Sequence, residues 1–592
     1  MNTILCLLVQ FSEAVLNNYY HNYDISPKTV VSGSSGKVFC GYGEISAELG
    51  GKLSGHTVLV VECYPGVNQA ELLEGLSRLN FSEVIHSDDL AFEPEKLDAV
   101  LENDLTNDRV FGVMTTHSLA DYFYRDKIEA ARELIENVKE GNILVYGVGA
   151  SLVCRGDICV LADITRWEIQ LRYRRGMNNW RTAKKNQPKL TKYKRGFFAE
   201  WRWADKVKDG LLSEIDYYLD MSAENRPAMV VGDTYRNALD EVSRKPFRLV
   251  PYFDPGVWGG DWMKTHLDLP DNGSNYAWCF DGVPEENSIT LNFGGKTVQT
   301  PAMNLTLYRA DELLGKRVRD RFGKEFPIRF DFLDTIHGQN LSLQVHPLKE
   351  YIKAHFNMDY TQDESYYILD TDGDNSCVYL GVKTDVDKEE MAKALYSAQK
   401  GEKPFEAERF VNKIPVKKHD HVLIPAGTVH CSGAGTMVLE ISATPYIFTF
   451  KMWDWGRVDL DGKPRPIHLE HGLANIQWDR DTEFVKRELI DAVTPLTCDD
   501  GKMERTGLHK LEFIETVRVT TSADTVVKAN GSVHMINLVE GERALIKSTD
   551  GAFVPFELHY AETCVIPSAA GDFILSSPDG SEIKVMMASV RE

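Results

Sequence analysis

The fold of the second half of the chain is decided by the stretch Leu341-Ser-Leu-Gln-Val-His-Pro347. Its apolar and polar residues alternate as they do in a β-strand, where side chains two positions apart point to the same face. Gln344 and His346 therefore share one face of the predicted strand. A single histidine in a strand is more often a structural residue than a metal ligand, so this stretch alone leaves both roles open.

Two later segments have the same character. Thr361-Gln-Asp-Glu-Ser-Tyr-Tyr367 places Glu364 at the start of a second predicted strand, and Ile424-Pro-Ala-Gly-Thr-Val-His430 ends in His430 after a turn. Two imidazoles, one carboxylate and one amide oxygen suit zinc, accept other divalent ions and leave room for a substrate oxygen. The predicted ligands of one divalent metal ion, zinc being favoured, are Gln344, His346, Glu364 and His430.

Four further segments complete a resemblance to the type I phosphomannose isomerases, which are metal-dependent cupin proteins. These segments are Pro251–Gly260, Phe326–Asp334, Val438–Ile441 and Trp453–Arg457. The resemblance runs from about residue 245 to the end of the chain. It implies a mainly β double cupin that interconverts mannose 6-phosphate and fructose 6-phosphate.

The resemblance also implies roles for residues around the metal. It assigns the four ligands above, makes Arg457 the active-site arginine, and places Ser342 with Arg457 against the substrate. Glu440 matches an acidic position and is the candidate for acid–base work. The alternatives are a surface ion pair for Arg457 and a structural carboxylate for Glu440.

Two positions depart from the family. Asp331 and Gln362 stand where the family usually has lysines. Losing two cations weakens binding of a phosphate group, because such contacts rest on charge-assisted hydrogen bonds. Arg329 can replace one of them, but alternation puts it on the same face as Asp331, so the two charges partly cancel. A different sugar phosphate, or an unphosphorylated sugar, therefore stays open.

Composition excludes some classes of partner. The 592 residues exceed one core and predict two to four domains. A net charge of −22 disfavours nucleic acid and anionic membranes, because both are negative. No apolar run spans a bilayer, and Met1–Gln10 predicts a buried strand or helix rather than a signal peptide. The ten cysteines are scattered, which is typical of reduced thiols in a cytoplasmic protein.

The segment 51–244 has a different pattern, in which strands alternate with helices. Val58–Glu62, Asn142–Tyr146 and Ile158–Asp163 are strand-like, and Glu71–Leu79 is an amphipathic helix. This alternation predicts a parallel α/β sheet. The turn Tyr64–Ala70 resembles the phosphate loop of nucleoside-type kinases but lacks its Gly-Lys-Ser/Thr end. We therefore predict a degenerate, inactive kinase-like domain.

One basic cluster stands out on this acidic chain. It comprises Arg172–Gly176, Lys184–Lys189 and Lys192–Arg195, interleaved with aromatic residues. The simplest interpretation is a solvated helix face or loop. The alternative is a patch that binds a phosphorylated ligand or an acidic partner.

The remaining pattern predicts the domain organisation. A helix at Thr234–Ser243 ends before Pro246, and another at Lys388–Lys400 interrupts the first cupin, over its mouth. His534 has no ligand partners nearby, so the second cupin is expected to be metal-free and structural. The predicted domains are an extension (1–50), the kinase-like domain (51–244), the metal-binding cupin (245–384 and 411–480), a helical insert (385–410) and a C-terminal cupin (481–592).

The sequence thus predicts a cytoplasmic metal-dependent sugar isomerase with an inactive kinase-like domain in front. Two alternatives belong to other classes. One is a non-catalytic cupin that senses a sugar or its phosphate, and it needs neither Arg457 nor Glu440 at the metal. The other is a bifunctional sugar kinase–isomerase, which the missing lysine at Gln69 disfavours.

Overall fold

The computed structural model describes most of the chain, namely residues 22–443, 448–458, 465–498, 501–507 and 509–591. The segment Met1–Gln10, with its predicted strand or helix, lies outside the described residues. Within them, an α/β front unit is followed by two β-barrels. Their helices are neither long enough nor apolar enough for any of them to cross a membrane.

The strands are numbered in chain order. The first eight are β1 (Thr29–Val30), β2 (Val38–Cys40), β3 (Val58–Cys63), β4 (Phe81–His86), β5 (Asn142–Gly147), β6 (Ile158–Asp163), β7 (Tyr217–Asp220) and β8 (Ala228–Val231). The next thirteen are β9 (Tyr252–Asp254), β10 (Trp278–Gly282), β11 (Ser288–Phe293), β12 (Lys296–Pro301), β13 (Arg329–Asp334), β14 (Leu343–Val345), β15 (Glu364–Thr371), β16 (Cys377–Val382), β17 (Val411–Pro415), β18 (His421–Ile424), β19 (His430–Ser432), β20 (Thr436–Ser442) and β21 (Phe450–Trp453). The last ten are β22 (Thr494–Leu496), β23 (Lys502–Gly507), β24 (Ile514–Thr521), β25 (Thr525–Val527), β26 (His534–Glu540), β27 (Arg543–Ser548), β28 (Phe556–His559), β29 (Thr563–Ile566), β30 (Phe573–Ser576) and β31 (Ile583–Val590).

The α-helices connect these strands. Those of the front unit are Gly41–Gly50, Gln69–Gly75, Pro94–Leu105, Arg125–Asn137, Ala150–Val153, Arg166–Arg174, Lys189–Arg195, Trp201–Leu211 and Gly232–Val242. Those of the barrels are Trp262–His266, Ala302–Tyr308, Ala310–Leu314, Lys316–Phe322, Lys349–Phe356, Lys388–Gln399, Ala407–Phe410, Leu469–Asn475 and Thr482–Phe484.

The front unit is built on a seven-stranded sheet in the order β2-β8-β7-β6-β3-β5-β4. Its five strands from β7 to β4 are mutually parallel, as the strand–helix alternation predicts, while β8 runs antiparallel to both of its neighbours, β7 and β2. The central strands are mainly apolar because helices cover both faces of a parallel sheet, and each of β3 and β6 carries one buried acidic residue, Glu62 and Asp163. The sheet includes β2 (Val38–Cys40), so the front unit begins before residue 51. The predicted start of this domain at residue 51 therefore lies inside the unit and is wrong.

The turn after β3 is covered by the helix Arg166–Arg174. A Cβ on Gly66 would lie 2.8 Å from Ile169, and Arg172 Nη1 donates to the Gly66 carbonyl at 3.0 Å. The cavity beside Glu62 and Tyr64 measures about 10 Å³. That volume holds one water at most, whereas nucleotide-sized ligands need several hundred Å³. The kinase-like resemblance itself stays a prediction.

The basic cluster is only partly the solvated surface that its composition indicates. Five of its basic residues are exposed, namely Arg174, Arg175, Lys184, Lys185 and Lys189. Arg172, Lys192, Lys194 and Arg195 are all buried. Lys194 Nζ donates to the Leu105 carbonyl at 2.7 Å, which gives its ammonium group a hydrogen-bond acceptor inside the front unit. Buried cations persist only when they are paired or hydrogen-bonded in this way. The simplest interpretation therefore holds for the exposed residues of the cluster but not for these buried ones.

The first barrel consists of two sheets, ordered β18-β15-β20-β13-β10-β9 and β17-β16-β19-β14-β21. The residues of strand β13 fix the register in which the barrel closes. Phe330 and Phe332 pack into the apolar core on the outer face of this strand. Asp331 pairs with Glu440 of β20 on the inner face, and Leu333 pairs with Val438 further along. A slip of one residue would exchange the two faces.

The second barrel also consists of two sheets. The sheet β22-β23-β24-β31-β26-β29 packs against the sheet β25-β30-β27-β28. An apolar cluster between them includes Val519, Ile536, Leu538 and Val585. The helical insert forms the helix Lys388–Gln399 and packs against β21 and the helix Leu469–Asn475.

Candidate metal centre and active site

Three of the four predicted ligands meet inside the first barrel. Glu364 begins β15 in one sheet, while His430 begins β19 and His346 follows β14 in the other. The Glu364 carboxylate lies 3.0 Å from His346 Nε2 and 2.8 Å from His430 Nε2. All three side chains are fully buried, and their potential ligand atoms lie within 4.8 Å of one another. One cation can therefore be shared between the two sheets.

The histidines are held in the orientation that a metal requires. His346 Nδ1 lies 2.8 Å from the Phe448 carbonyl, and His430 Nδ1 lies 2.8 Å from the Thr428 carbonyl. A carbonyl only accepts, so each Nδ1 carries the proton and each Nε2 presents its lone pair to the cluster. His346 Nε2 and Glu364 Oε1 are buried without a hydrogen bond of acceptable geometry. The donor set thus fits a divalent ion such as zinc.

Gln344 completes this cluster from β14, the strand that His346 follows. It pairs with His430 across β14 and β19, and its amide nitrogen lies 3.2 Å from His430 Nε2. Rotating the amide by 180° brings its oxygen to that position, and this is the orientation that an ion selects. The predicted fourth ligand is therefore within reach of the other three.

A second carboxylate pair lies beside the cluster. Glu440 faces Asp331 on one side and Tyr366 on the other. Burial, followed by the charges of Asp331 and Glu364, raises the pKa of Glu440 well above its ordinary value. A cation at the ligands favours the ionised form of a nearby carboxylate. Occupation of the metal centre would therefore lower that pKa.

Arg329 and Asp331 interact as their alternation predicts. Arg329 Nη2 lies 3.5 Å from Asp331 Oδ1, and both side chains are buried. Burial disfavours the charge on Arg329, but Asp331, Glu440 and Glu286 outweigh it and raise its pKa. Burial raises the pKa of Asp331 to about 6 against the opposing effect of Arg329. The guanidinium thus links the carboxylate pair to Glu286, which lies outside the barrel strands.

Gln362, the second departure from the family, supports a ligand. Its Nε2 donates to Glu364 Oε2 at 3.0 Å, and its Oε1 accepts from the Phe448 N–H at 3.1 Å. Phe448 in turn supplies the carbonyl that orients His346. Gln362 therefore connects two ligands through neutral hydrogen bonds.

Arg457 and Ser342 meet at one carboxylate. Asp454 Oδ1 accepts from Ser342 Oγ at 2.7 Å and from Arg457 Nη2 at 2.7 Å. Arg457 Nη1 also donates to the Asn340 carbonyl at 2.6 Å. Ser342 lies two positions before Gln344, so this ion-paired group adjoins the ligand strand. Both residues predicted to face the substrate thus contact the same carboxylate, that of Asp454, and their role towards a substrate stays a prediction.

Two cations that lie beside Ser342 and Gln344, namely Arg465 and Lys451, were not predicted from the sequence. Arg465 Nη1 lies 3.1 Å from both Ser342 Oγ and Asp454 Oδ1, and Lys451 pairs with Gln344 across β14 and β21. Arg465 stands between two prolines, which restrict its backbone and are a signal for a fixed arginine. The position of Lys451 had no such signal, because it depends on how β14 and β21 pair.

His534 of the second barrel is buried as well. Its Nδ1 lies 3.1 Å from the Ser532 carbonyl, and burial lowers its pKa to about 4. Among the described residues, the one group of three or more metal-type side chains is that of His346, Glu364 and His430.

Comparisons with known proteins divide the chain in two. Residues 41–244 match a family described as a domain of unknown function (DUF8485). The mannose-6-phosphate isomerase ManA of Bacillus subtilis (strain 168) is 26% identical over 340 residues, which are 56% of this chain and 96% of that protein. The probable mannose-6-phosphate isomerase GmuF of the same organism is 28% identical over 335 residues, again 56% of this chain and 96% of that protein.

A solved structure of mannose 6-phosphate isomerase from Bacillus subtilis covers 58% of this chain and 99% of its own, with 18% identity and a TM-score of 0.47. The curated relatives confirm the resemblance that the sequence motifs indicate. Over a little more than half its length, the chain is similar to mannose-6-phosphate isomerases.

Proposed function

We propose that this protein is a metal-dependent aldose–ketose isomerase that interconverts mannose 6-phosphate and fructose 6-phosphate. One observation carries the proposal, namely the buried convergence of His346, Glu364 and His430 beside Glu440. The names of the curated relatives, mannose-6-phosphate isomerases, support the substrate. Both arguments concern the same part of the chain.

The metal would be held by His346, Glu364 and His430, with Gln344 as a fourth ligand. The neutral imidazoles and the single carboxylate favour zinc over magnesium or calcium. When bound, the ion supplies Lewis-acid polarisation of the sugar oxygens at C1 and C2.

The residues around the ligands would carry out the proton transfer. Glu440 takes the proton from C2 of the aldose and returns it to C1, while the hydroxyl proton on O2 passes to O1. The C1 carbonyl thereby becomes a hydroxyl, and a carbonyl forms at C2 of the ketose. The Arg329–Asp331 pair holds Glu440 in a fixed electrostatic environment, and burial excludes water from the enediol.

The proposal is tested by exchange of the C2 proton in deuterated water. Purified protein with added zinc is incubated with mannose 6-phosphate and, separately, with free mannose, and the exchange is followed by NMR. We expect exchange on mannose 6-phosphate, together with formation of fructose 6-phosphate. Exchange on free mannose alone would keep the chemistry and replace the substrate.

Absence of exchange on both sugars, with every divalent ion tried, would refute the isomerase proposal. A cupin that only binds a sugar or its phosphate would then be the better interpretation. ATP consumption in the presence of mannose would instead support the bifunctional kinase–isomerase.

A further inference from the structure

The front unit and the first barrel enclose a cavity between them. Its volume is about 280 Å³, and we call it the interface cavity. The front unit contributes Trp167, Lys189 and Tyr193, and the barrel contributes Tyr252 and Lys451. Neither unit forms this cavity without the other.

The interface cavity has an aromatic wall to which both units contribute. The ring of Trp167 stacks on Tyr252 with centroids 4.0 Å apart, and Tyr252 stacks on Phe280 at 4.6 Å. Cavities for small ligands typically combine such apolar walls with a few polar groups that fix orientation. This wall suits the C–H face of a sugar ring.

The polar groups of the interface cavity are mainly cations. Five positively charged side chains line it, against the two carboxylates Asp254 and Glu286, on a chain whose net charge is −22. The five are Arg174, Lys189, Arg329, Lys451 and Arg465. A local excess of positive charge on an acidic protein indicates an anionic ligand.

The three arginines have carboxylate partners, and Lys189 does not. Arg174 makes a bidentate pair with Asp254 at 2.7 and 2.8 Å. Arg329 and Arg465 contact Asp331 and Asp454 respectively, as described above. Within the described part of the chain, Lys189 has no ion pair, and its exposed side chain is available to a ligand.

The position of Lys189 is built into the fold. Its helix, Lys189–Arg195, is tied to the barrel because Tyr193 Oη donates to Glu286. The same carboxylate accepts from Gln170 of the preceding helix at 2.7 Å and from Tyr252 at 2.7 Å. A single carboxylate of the barrel thus holds two helices of the front unit over the interface cavity.

The cationic side of the interface cavity adjoins the candidate metal centre. Lys451 is the strand partner of the predicted ligand Gln344, and Arg465 contacts Ser342 of the same segment. Lys451 and Arg465 line the cavity from the barrel, while Lys189 lines it from the front unit. A molecule bound in the interface cavity therefore has cations on either side of it. At one end it approaches β14, the strand that carries the predicted metal ligand Gln344.

We propose that Lys189 of the front unit binds the phosphate group of the substrate together with Lys451 and Arg465. This assignment rests on the proposed function, and it gives the front unit a role in substrate selection. It also accounts for Asp331 and Gln362, because cations from outside the barrel interior replace the lysines that the family has at those positions. Lysine suits this role as a point charge with three donors.

The test compares K189A with K185A, which removes an exposed lysine of the same segment that does not line the cavity. Both variants are assayed in the full-length zinc protein with mannose 6-phosphate. We expect K189A to raise KM about tenfold or more while kcat changes less than about twofold, because one charge-assisted contact is lost in all bound states. K185A should match the wild type, and K189R should recover part of the loss.

A second measurement does not depend on catalysis. Binding of inorganic phosphate is titrated calorimetrically, and the K189A dissociation constant should rise about tenfold. Unchanged KM and unchanged phosphate affinity in K189A, in an active protein, would overturn the inference and leave the isomerase proposal intact. Equal weakening in K185A would overturn it too, by showing diffuse attraction. If the wild type exchanges no sugar proton but K189A loses phosphate affinity, the isomerase proposal fails and the anion subsite stands.

Discussion

The two barrels share one architecture and differ in what fills their interiors. Between the sheets of the second barrel lies an apolar cluster that includes Ile536, Leu538 and Val585. The first barrel is apolar at one end, where Leu333 pairs with Val438, and charged at the other, where Asp331 pairs with Glu440. The interior of the second barrel is an ordinary apolar core. In the first barrel, charged residues of the candidate site replace part of such a core.

The difference shows how a site is supported at low cost to the fold. Buried charge is expensive unless it is paired or bound to a metal. The first barrel places Asp331 and Glu440 side by side and keeps Leu333 and Val438 further along the same two strands. Among its described residues, the second barrel buries His534 without a carboxylate cluster, and the ring of this histidine packs near Phe573.

The strongest test of this comparison removes one histidine from each barrel. H430A should lose its bound metal and about 10,000-fold in kcat/KM, because one ligand and its Lewis-acid contribution disappear. H534Q in the second barrel should retain both. Metal content by emission spectrometry and the exchange assay measure the two effects. Full metal stoichiometry in H430A would refute the ligand assignment.

The second test removes side-chain atoms from the apolar core of the second barrel instead. L538A should lower the free energy of unfolding by about 2–5 kcal/mol, because it leaves a cavity in a packed interior. V526A, at an exposed site on β25, should change it by less than about 0.5 kcal/mol. Urea titrations measure both. If L538A also reduced the metal content of the folded protein, the second barrel would not be a purely structural partner.

The third test separates chemistry from metal binding within the first barrel. E440Q keeps the shape of the side chain but cannot accept a proton, so kcat should fall about 100-fold or more at unchanged metal content. E557Q, on an exposed strand of the second barrel, is the matched control. A kcat for E440Q within twofold of the wild type would make Glu440 a structural carboxylate.

The smallest expected effect is the pH dependence of the second barrel. Burial lowers the pKa of His534 to about 4, while an unfolded histidine titrates near 6.5. Between these values the unfolded chain binds a proton that the folded chain does not, so stability falls as the pH falls. We expect the wild type to lose about 2 kcal/mol more than H534Q between pH 7 and pH 5. Parallel pH profiles in urea titrations would contradict this.

Local patterns in the sequence predicted the parts of the molecule that local rules govern. Alternation placed Gln344 with His346 and Arg329 with Asp331, because strand geometry repeats every two residues. The strand–helix alternation predicted the parallel sheet of the front unit. It misplaced the start of that unit, because the edge strand Val38–Cys40 is short and carries no periodic signal of its own.

Contacts between distant segments were not predictable in the same way. The burial of part of the basic cluster was not predicted, because hydrogen bonds such as that from Lys194 to the Leu105 carbonyl join residues far apart in the chain. No sequence motif indicates that Glu286 holds two helices of the front unit against the barrel. Lys451 and Arg465 likewise gain meaning only through the pairing and packing of their neighbours.

The order of the residues along the chain fixes which side chains are available for a metal and, through the strand period, the face on which each of them lies. Those properties follow from residue chemistry and from the period of a strand. The meeting of His346, Glu364 and His430 at one point, and the cavity that helices of the front unit close beside it, depend on the folded arrangement of distant segments. The reason is that sheet pairing and domain docking bring together residues that no local repeat connects.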